Sequence, residues 1–225
     1  MSQAGQSFGA VIFDLDGVLV DAEIWWDEVR IDFARRHGRT WTEADRAAIM
    51  GANSFGWSTL MRERLDLAQL PREQIETEVV RAMVERYLAE GAPRIPGAVE
   101  TVERVARELP VAVASSGHPD VIAAALESLG IGPLFGAVAS SDEVATGKPE
   151  PDVYLLAAKR LGAAPEGCLV VEDSLNGVLA GRAAGMFVVL VPNAAIPPAP
   201  GARQAASLVL DRIDLLDPDA IARGR

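Results

Sequence analysis

Three observations predict a doubly wound parallel α/β core carrying an all-helical insert. Short, unalternating, Val-rich runs recur along the chain, as in strands buried on both faces of a parallel sheet. Amphipathic stretches at helical spacing lie between them, giving the strand–helix alternation of a doubly wound fold. Strand-like runs are absent from residue 22 to about residue 92, a segment that holds all four tryptophans.

The first strand is Ala10-Val11-Ile12-Phe13, and the insert follows it directly. Within the insert, Trp25, Val29 and Phe33 make one helical stripe, and Ile75, Val79, Met83 and Tyr87 another. Gly91-Ala92-Pro93 and Pro96-Gly97 mark the return. Residues 1–21 and 93–225 are therefore assigned to the core and residues 22–92 to a helical cap. A helix carrying Val99, Val102, Val105, Ala106 and Leu109 precedes the strand Val111-Ala112-Val113-Ala114. Helical patterns over 120–129 and 151–161 flank Ala137-Val138-Ala139. Cys168-Leu169-Val170-Val171 and Phe187-Val188-Val189-Leu190-Val191 are the next strands. A Pro-rich surface loop from Pro192 to Gly201 leads to a short final strand, Leu208-Val209-Leu210.

Composition narrows the function. The 225 residues are 49% hydrophobic and 24% charged, the balance of a globular protein with a sizeable core. The net charge of −11 repels nucleic acid and anionic membranes, so neither is expected as a partner. A small anionic substrate remains compatible, because a bound cation and a few placed donors reverse the field locally. Cys168 is the single cysteine, which excludes an internal disulfide and a thiolate metal cluster, and its apolar run marks it as a core residue. No signal-peptide pattern or membrane-spanning run is apparent, so a cytoplasmic protein is expected; a monomer is the first expectation for its oligomeric state, with an oligomer left open.

Four strand ends carry the chemistry. In Phe13-Asp14-Leu15-Asp16-Gly17-Val18-Leu19-Val20-Asp21, two carboxylates follow a buried strand at its C-terminal end, where open α/β sheets bind ligands. In extended chain Asp14 and Asp16 face one site, and Gly17 permits a tight turn beside an anion. Ala114-Ser115-Ser116-Gly117 offers hydroxyl and N–H donors suited to a phosphate oxygen. Gly147-Lys148-Pro149-Glu150-Pro151-Asp152 holds one lysine in a restrained loop. Val170-Val171-Glu172-Asp173-Ser174 again ends a strand in acids, and oxygen ligands of this kind suit Mg²⁺. Alone, each has a plainer reading: a turn, a helix cap, a solvated lysine. Their ordered combination is specific.

That ordered set of Asp-x-Asp, Ser, Lys and Glu-Asp resembles the haloacid dehalogenase-like hydrolases, in detail the β-phosphoglucomutase-like phosphatase branch with its small helical cap and Rossmann-like core. The resemblance covers nearly the whole chain. It implies a phosphatase of a small phosphorylated metabolite, a sugar or polyol phosphate, in which Asp14 attacks phosphorus and becomes an aspartyl-phosphate. Asp16 would protonate the leaving alcohol and then activate water. Mg²⁺ would be held by Asp14, the main-chain carbonyl of Asp16, Asp173 and, as a fourth contributor, Glu172. Ser115 and Lys148 would hold the transferring phosphoryl group, with Ser116 and Gly117 beside it.

Related chemistries fit less well. Dehalogenation would leave Asp16, Glu172 and Asp173 without a role, and phosphonate cleavage in this superfamily uses a cap lysine, which residues 22–92 lack. The mutase alternative expects a histidine where Trp26 stands and a cap-loop arginine where Ser54 stands in Met50-Gly51-Ala52-Asn53-Ser54. A regulatory binding protein on this fold would show damage to a strand-end acid, and none is damaged. Asn53 is the candidate for a substrate hydroxyl. Trp57 reads first as cap core, His118 as a surface-loop histidine, and His37 as a helix C-terminus stopped by Gly38. Trp25 and Trp26 point about 100° apart on a helix, so one is expected in the core and the other free to line the cleft.

Overall fold

The computed structural model describes residues 7–49, 52–193 and 196–224. Met50 and Gly51 of the cap loop, and Ala194 and Ala195 of the Pro-rich stretch, lie outside them. Six parallel strands form one sheet in the order β3-β2-β1-β4-β5-β6. They are β1 Ala10–Phe13, β2 Val111–Ser115, β3 Ala137–Ser140, β4 Cys168–Glu172, β5 Phe187–Leu190 and β6 Leu208–Val209. Strands β1, β2 and β4 are buried throughout, which explains why they read as continuous apolar runs. The sequence places the ends of β2 and β4 one residue too early. Ser115 and Glu172 are polar, but both belong to the last pair of the ladder.

Helices α1 (Glu23–Arg36), α2 (Glu43–Ile49), α3 (Ser54–Arg64) and α4 (Arg72–Glu90) all lie between β1 and β2 in the chain. Ile75, Val79, Met83 and Tyr87 line the buried side of α4, as their spacing predicts. On α1, Val29 and Phe33 are buried as their spacing predicts, and the buried face extends to Trp26, Arg30 and Ala34. Trp25 is only half-buried, with its ring centroid 5.3 Å from that of Tyr87. His37 ends α1 and Gly38 follows with φ 67°, so the predicted helix stop is present.

The chain enters and leaves the insert side by side. Val20 bridges Arg94 in antiparallel fashion, the Asp21 N–H donates to the Pro93 carbonyl at 2.7 Å, and the Ile95 N–H donates to the Leu19 carbonyl at 3.0 Å. Helices α5 (Ala98–Ala106), α6 (Pro119–Leu129), α7 (Asp152–Leu161), α8 (Leu175–Ala183), α9 (Ala202–Ala205) and α10 (Pro218–Arg223) complete the chain. Apolar packing is continuous from β1 through α6 into α1, α3 and α4, so one cluster joins the sheet to the insert. A second cluster, with Tyr154 and Val153 of α7, fills the other face of the sheet. No helix among the described residues is long and apolar enough to cross a membrane.

Candidate active site

Strand register builds the site. Phe13 pairs with Val113 of β2 and Val171 of β4, so the next residue, Asp14, emerges between the ends of those two strands. The loop that follows is tied down by Gly17 N–H to the Val20 carbonyl at 2.7 Å and by Leu19 N–H to the Leu15 carbonyl at 2.8 Å. Gly17 has φ 81°, and a Cβ there would stand 2.1 Å from the Asp173 carboxylate. Only glycine allows the two acidic loops to approach this closely.

Lys148 ties the strand ends together. Its Nζ donates to Asp14 Oδ1 at 2.8 Å, to Glu172 Oε1 at 2.7 Å and to the Ala114 carbonyl at 3.2 Å. It also lies 4.8 Å from the centre of the Tyr154 ring. Burial opposes its charge, but Asp14 and Glu172 outweigh that and raise its pKa, so it stays an ammonium.

Glu172 has no exposed surface. Its Oε1 accepts from Lys148 and from the Tyr154 hydroxyl at 2.7 Å, and its Oε2 from the Asp173 and Ser174 N–H groups and the Ser174 hydroxyl at 2.9–3.0 Å. Burial favours its protonation, yet Lys148 and these bonds hold its pKa below the usual value. The carboxylate packs against the first turn of α8 because Gly177 has no side chain; a Cβ there would fall 1.6 Å from Oε1. Expected as a metal ligand, Glu172 accepts five bonds from the scaffold, fixes Lys148, and also belongs to the group of carboxylates that could take a metal ion.

Asp14 and Asp173 are less satisfied. Burial raises Asp14 to about 7, with Lys148 opposing and the Glu172 charge assisting. Burial and the charges of Glu172 and Asp14 raise Asp173 well above the ordinary carboxylate range. Oxygens of Asp14, Glu172 and Asp173 all lie within 4.8 Å of one another. Crowded, buried carboxylates that repel protonless neighbours are the donor set of a hard divalent cation, so the residues fit a metal ion. Asp16 Oδ1 is buried with no partner among the described residues. Burial and the Glu23 charge raise Asp16 to about 6, with the Trp26 indole, Lys148 and Arg30 opposing.

Asp14, Asp16, Ser115, Ser116, Gly117, Lys148 and Asp173 border one cavity of about 390 Å³. The Ser115 hydroxyl accepts from the Gly117 N–H at 3.0 Å, which shapes the turn after β2. Asn53 is not in this group. Its carbonyl accepts from the Gly56 N–H at 3.0 Å and caps α3, and it faces a second cleft with His118. His118 caps α6 through Nδ1, accepting from the Asp120 N–H at 3.2 Å. Ser54 donates its backbone N–H to Asp142 Oδ1 at 2.8 Å, a bond from the insert to the core.

Trp26 and Trp57 are both buried and both border the main cavity, their ring centroids 6.4 Å apart. Sequence reasoning missed Glu23 and Arg30 on the same face of α1, although the four-residue step from Trp26 to Arg30 was available as a sign. It also missed Tyr154, which reads as one more apolar position of α7, and Ile196 and Pro197 of the Pro-rich loop, which border the cavity.

Comparison with known proteins agrees with this geometry. A family model described as haloacid dehalogenase-like hydrolase matches residues 8–185. Hexitol phosphatase A of Escherichia coli is 36% identical over 182 residues, covering 80% of this chain and 81% of that protein. The phosphorylated carbohydrates phosphatase of Thermotoga maritima is 33% identical over 180 residues, covering 79% and 82%. The crystal structure of CbbY from Rhodobacter sphaeroides in complex with phosphate shares the fold, with a TM-score of 0.79 at 24% identity over 93% of this chain and 96% of that one. By sequence and by fold, the chain belongs to the haloacid dehalogenase-like hydrolase family.

Proposed function

We propose that this chain is a Mg²⁺-dependent phosphatase that hydrolyses a small sugar or polyol phosphate through an aspartyl-phosphate on Asp14. The chain is a phosphoric monoester hydrolase. The observation that carries the finer reading is the buried Asp14 carboxylate, bonded to Lys148 at 2.8 Å and grouped with the Asp173 carboxylate beneath an open cavity. Asp14 and Asp173 would hold the metal, with the Asp16 main-chain carbonyl beside them. When bound, Mg²⁺ supplies charge neutralisation between the nucleophile and the phosphoryl oxygens.

Asp14 then forms a bond to phosphorus as the ester P–O bond breaks. Asp16, whose pKa burial raises to about 6, gives its proton to the departing alkoxide oxygen. In the second half, Asp16 takes a proton from water, and water oxygen replaces Asp14 on phosphorus to release inorganic phosphate. Lys148 keeps Asp14 oriented and balances charge on the transferring group, while the Ser115, Ser116 and Gly117 turn offers donors to its oxygens. Trp26 and Ser54, where the mutase reading expects histidine and arginine, favour hydrolysis over phosphoryl transfer back to sugar.

The test is phosphate release from sugar, polyol and aryl phosphates, with Mg²⁺ and with chelator, for the wild type and Asp14→Asn. Metal-dependent release that disappears in Asp14→Asn is expected. Release that persists in Asp14→Asn, or none from any ester, would contradict the reading.

A further inference from the structure

Arg30 is a buried cation with no residue among those described to receive its hydrogen bonds. It is 8% exposed, and among the described residues it makes no hydrogen bond or ion pair. Its Nε is buried without a partner. The guanidinium lies 4.9 Å from the centre of the Trp26 ring and 5.9 Å from that of Trp57. Aromatic faces replace only part of the lost hydration, since they cannot accept directed N–H bonds as an oxygen does. Burial lowers its pKa to about 10, with Glu23, Asp27 and Asp16 opposing, so it is charged at neutral pH. Because Arg30 borders the main cavity, its missing acceptors can come from whatever fills that cavity.

The surrounding charges say what kind of group that is. Lys148 is bonded to Asp14 and Glu172, and Arg46 is paired with Asp27 at 2.6 Å. Arg30 is therefore the one unengaged cation among the described residues lining the cavity. Asp16, Asp21 and Glu23 border the same space, and a second anionic group on the substrate would meet their repulsion. Neutral hydroxyls face no such penalty: they accept from Arg30 and donate to Glu23, seven residues earlier on the same face of α1. The Trp26 and Trp57 rings suit the C–H faces of a polyhydroxylated chain or ring.

Resting on the phosphatase reading, we propose that Arg30 determines specificity by donating hydrogen bonds to the hydroxyls of an otherwise uncharged, polyhydroxylated leaving group, with Glu23 as the matching acceptor. The substrate is then a polyol or sugar monophosphate, while bisphosphates and phosphorylated acids are poor substrates.

The experiment compares kcat/KM at saturating Mg²⁺ for a hexitol monophosphate, a sugar bisphosphate, a phosphorylated hydroxy acid and an aryl phosphate lacking hydroxyls. The proteins are the wild type, Arg30→Met, Arg30→Lys and Glu23→Gln. The wild type should favour the hexitol monophosphate. In Arg30→Met its kcat/KM should fall about 100-fold while that of the aryl phosphate stays within about threefold. Arg30→Lys should recover part of the loss, and Glu23→Gln should cost the hexitol ester about tenfold. Arg30→Met should also melt no lower than the wild type, because removing the buried charge relieves its desolvation and no hydrogen bond or ion pair among the described residues is lost. Equal losses on the hexitol and aryl esters would overturn the specificity role. A wild-type preference for the bisphosphate or the acid would overturn the uncharged leaving group. If the wild type hydrolyses no ester, the aryl ester included, the phosphatase reading itself fails and this inference with it.

Discussion

The floor of the cavity and the wall above it are built on opposite plans. On the floor, the ends of β1, β2 and β4 hold a network in which Lys148, Glu172, Tyr154 and Ser174 satisfy one another with bonds of 2.7–3.0 Å. On the wall, α1 presents Arg30 and Glu23 with no hydrogen bond to any described residue. Chemistry on a transferring group demands fixed geometry, whereas recognition of a leaving group demands open valences. The difference teaches that an account of reaction type belongs to the sheet edge, and an account of substrate choice to the insert.

Asp14→Asn breaks the floor most completely. Turnover should fall by about 10⁴-fold or more, since the amide is no nucleophile, while the fold persists because a buried charge is removed. Steady-state phosphate release, with a thermal melt as control, checks both halves. Next in size is Lys148→Met, which leaves Asp14 and Glu172 facing each other without their cation. Stability should drop by about 3–5 kcal/mol in denaturant titration, with activity lost as well. Were Lys148→Met as stable as the wild type, the floor would not be the satisfied network described.

The floor also predicts a pH signature in metal-free protein. Asp14 and Asp16 are raised from 3.8 to about 7 and about 6, so the folded state holds more protons than the unfolded state between those values. Their contribution to stability is therefore full below pH about 4 and lost as pH rises towards about 7. Glu172 is shifted the other way, and its contribution is lost only as pH falls below its lowered value. The melting temperature without metal should decline by several degrees across the upper window, and added Mg²⁺ should stabilise more at the higher pH. A metal-induced shift independent of pH would contradict the crowding of Asp14 and Asp173.

Smaller effects separate the two regions further. Tyr154→Phe removes one bond to the Glu172 carboxylate and should cost about 1.5–3 kcal/mol, with KM little changed because Tyr154 lies below the cavity. Asp142→Ala removes the acceptor for the Ser54 N–H and loosens the wall without touching the floor. The expected loss is about 1 kcal/mol of insert-to-core docking, read as a roughly fivefold rise in KM at nearly constant kcat. A fall in kcat alone would tie Asp142 to the floor instead.

The same contrast explains what could be read from the chain. Strand ends were legible to within a residue, because apolar runs of period-free Val and Ala mark where the sheet stops, and Asp14, Ser115 and Asp173 lie at or just past those ends. Lys148 was legible from its Gly and Pro flanks. Glu172 was found but its hold on Lys148 was not, because sequence gives no count of the donors that fold around a carboxylate; the Gly177 contact and the Tyr154 hydroxyl appear only in three dimensions. Arg30 was missed because an arginine within a helix ordinarily lies in solvent, and a stripe drawn through Trp25 instead of Trp26 turns it away from the cavity. Asn53 was misjudged for a local reason: an Asn before a helix more readily caps it than reaches a ligand.

The central claim is that Asp14 carries the phosphoryl group between the two half-reactions. Acid quenching during turnover of an aryl phosphate, followed by mass mapping of the digested protein, tests it most directly. One phosphoryl group on the peptide containing Asp14, labile to base and absent from Asp14→Asn, is the predicted result. Turnover with no phosphorylated peptide at any quench time, or with the group on another residue, would contradict it.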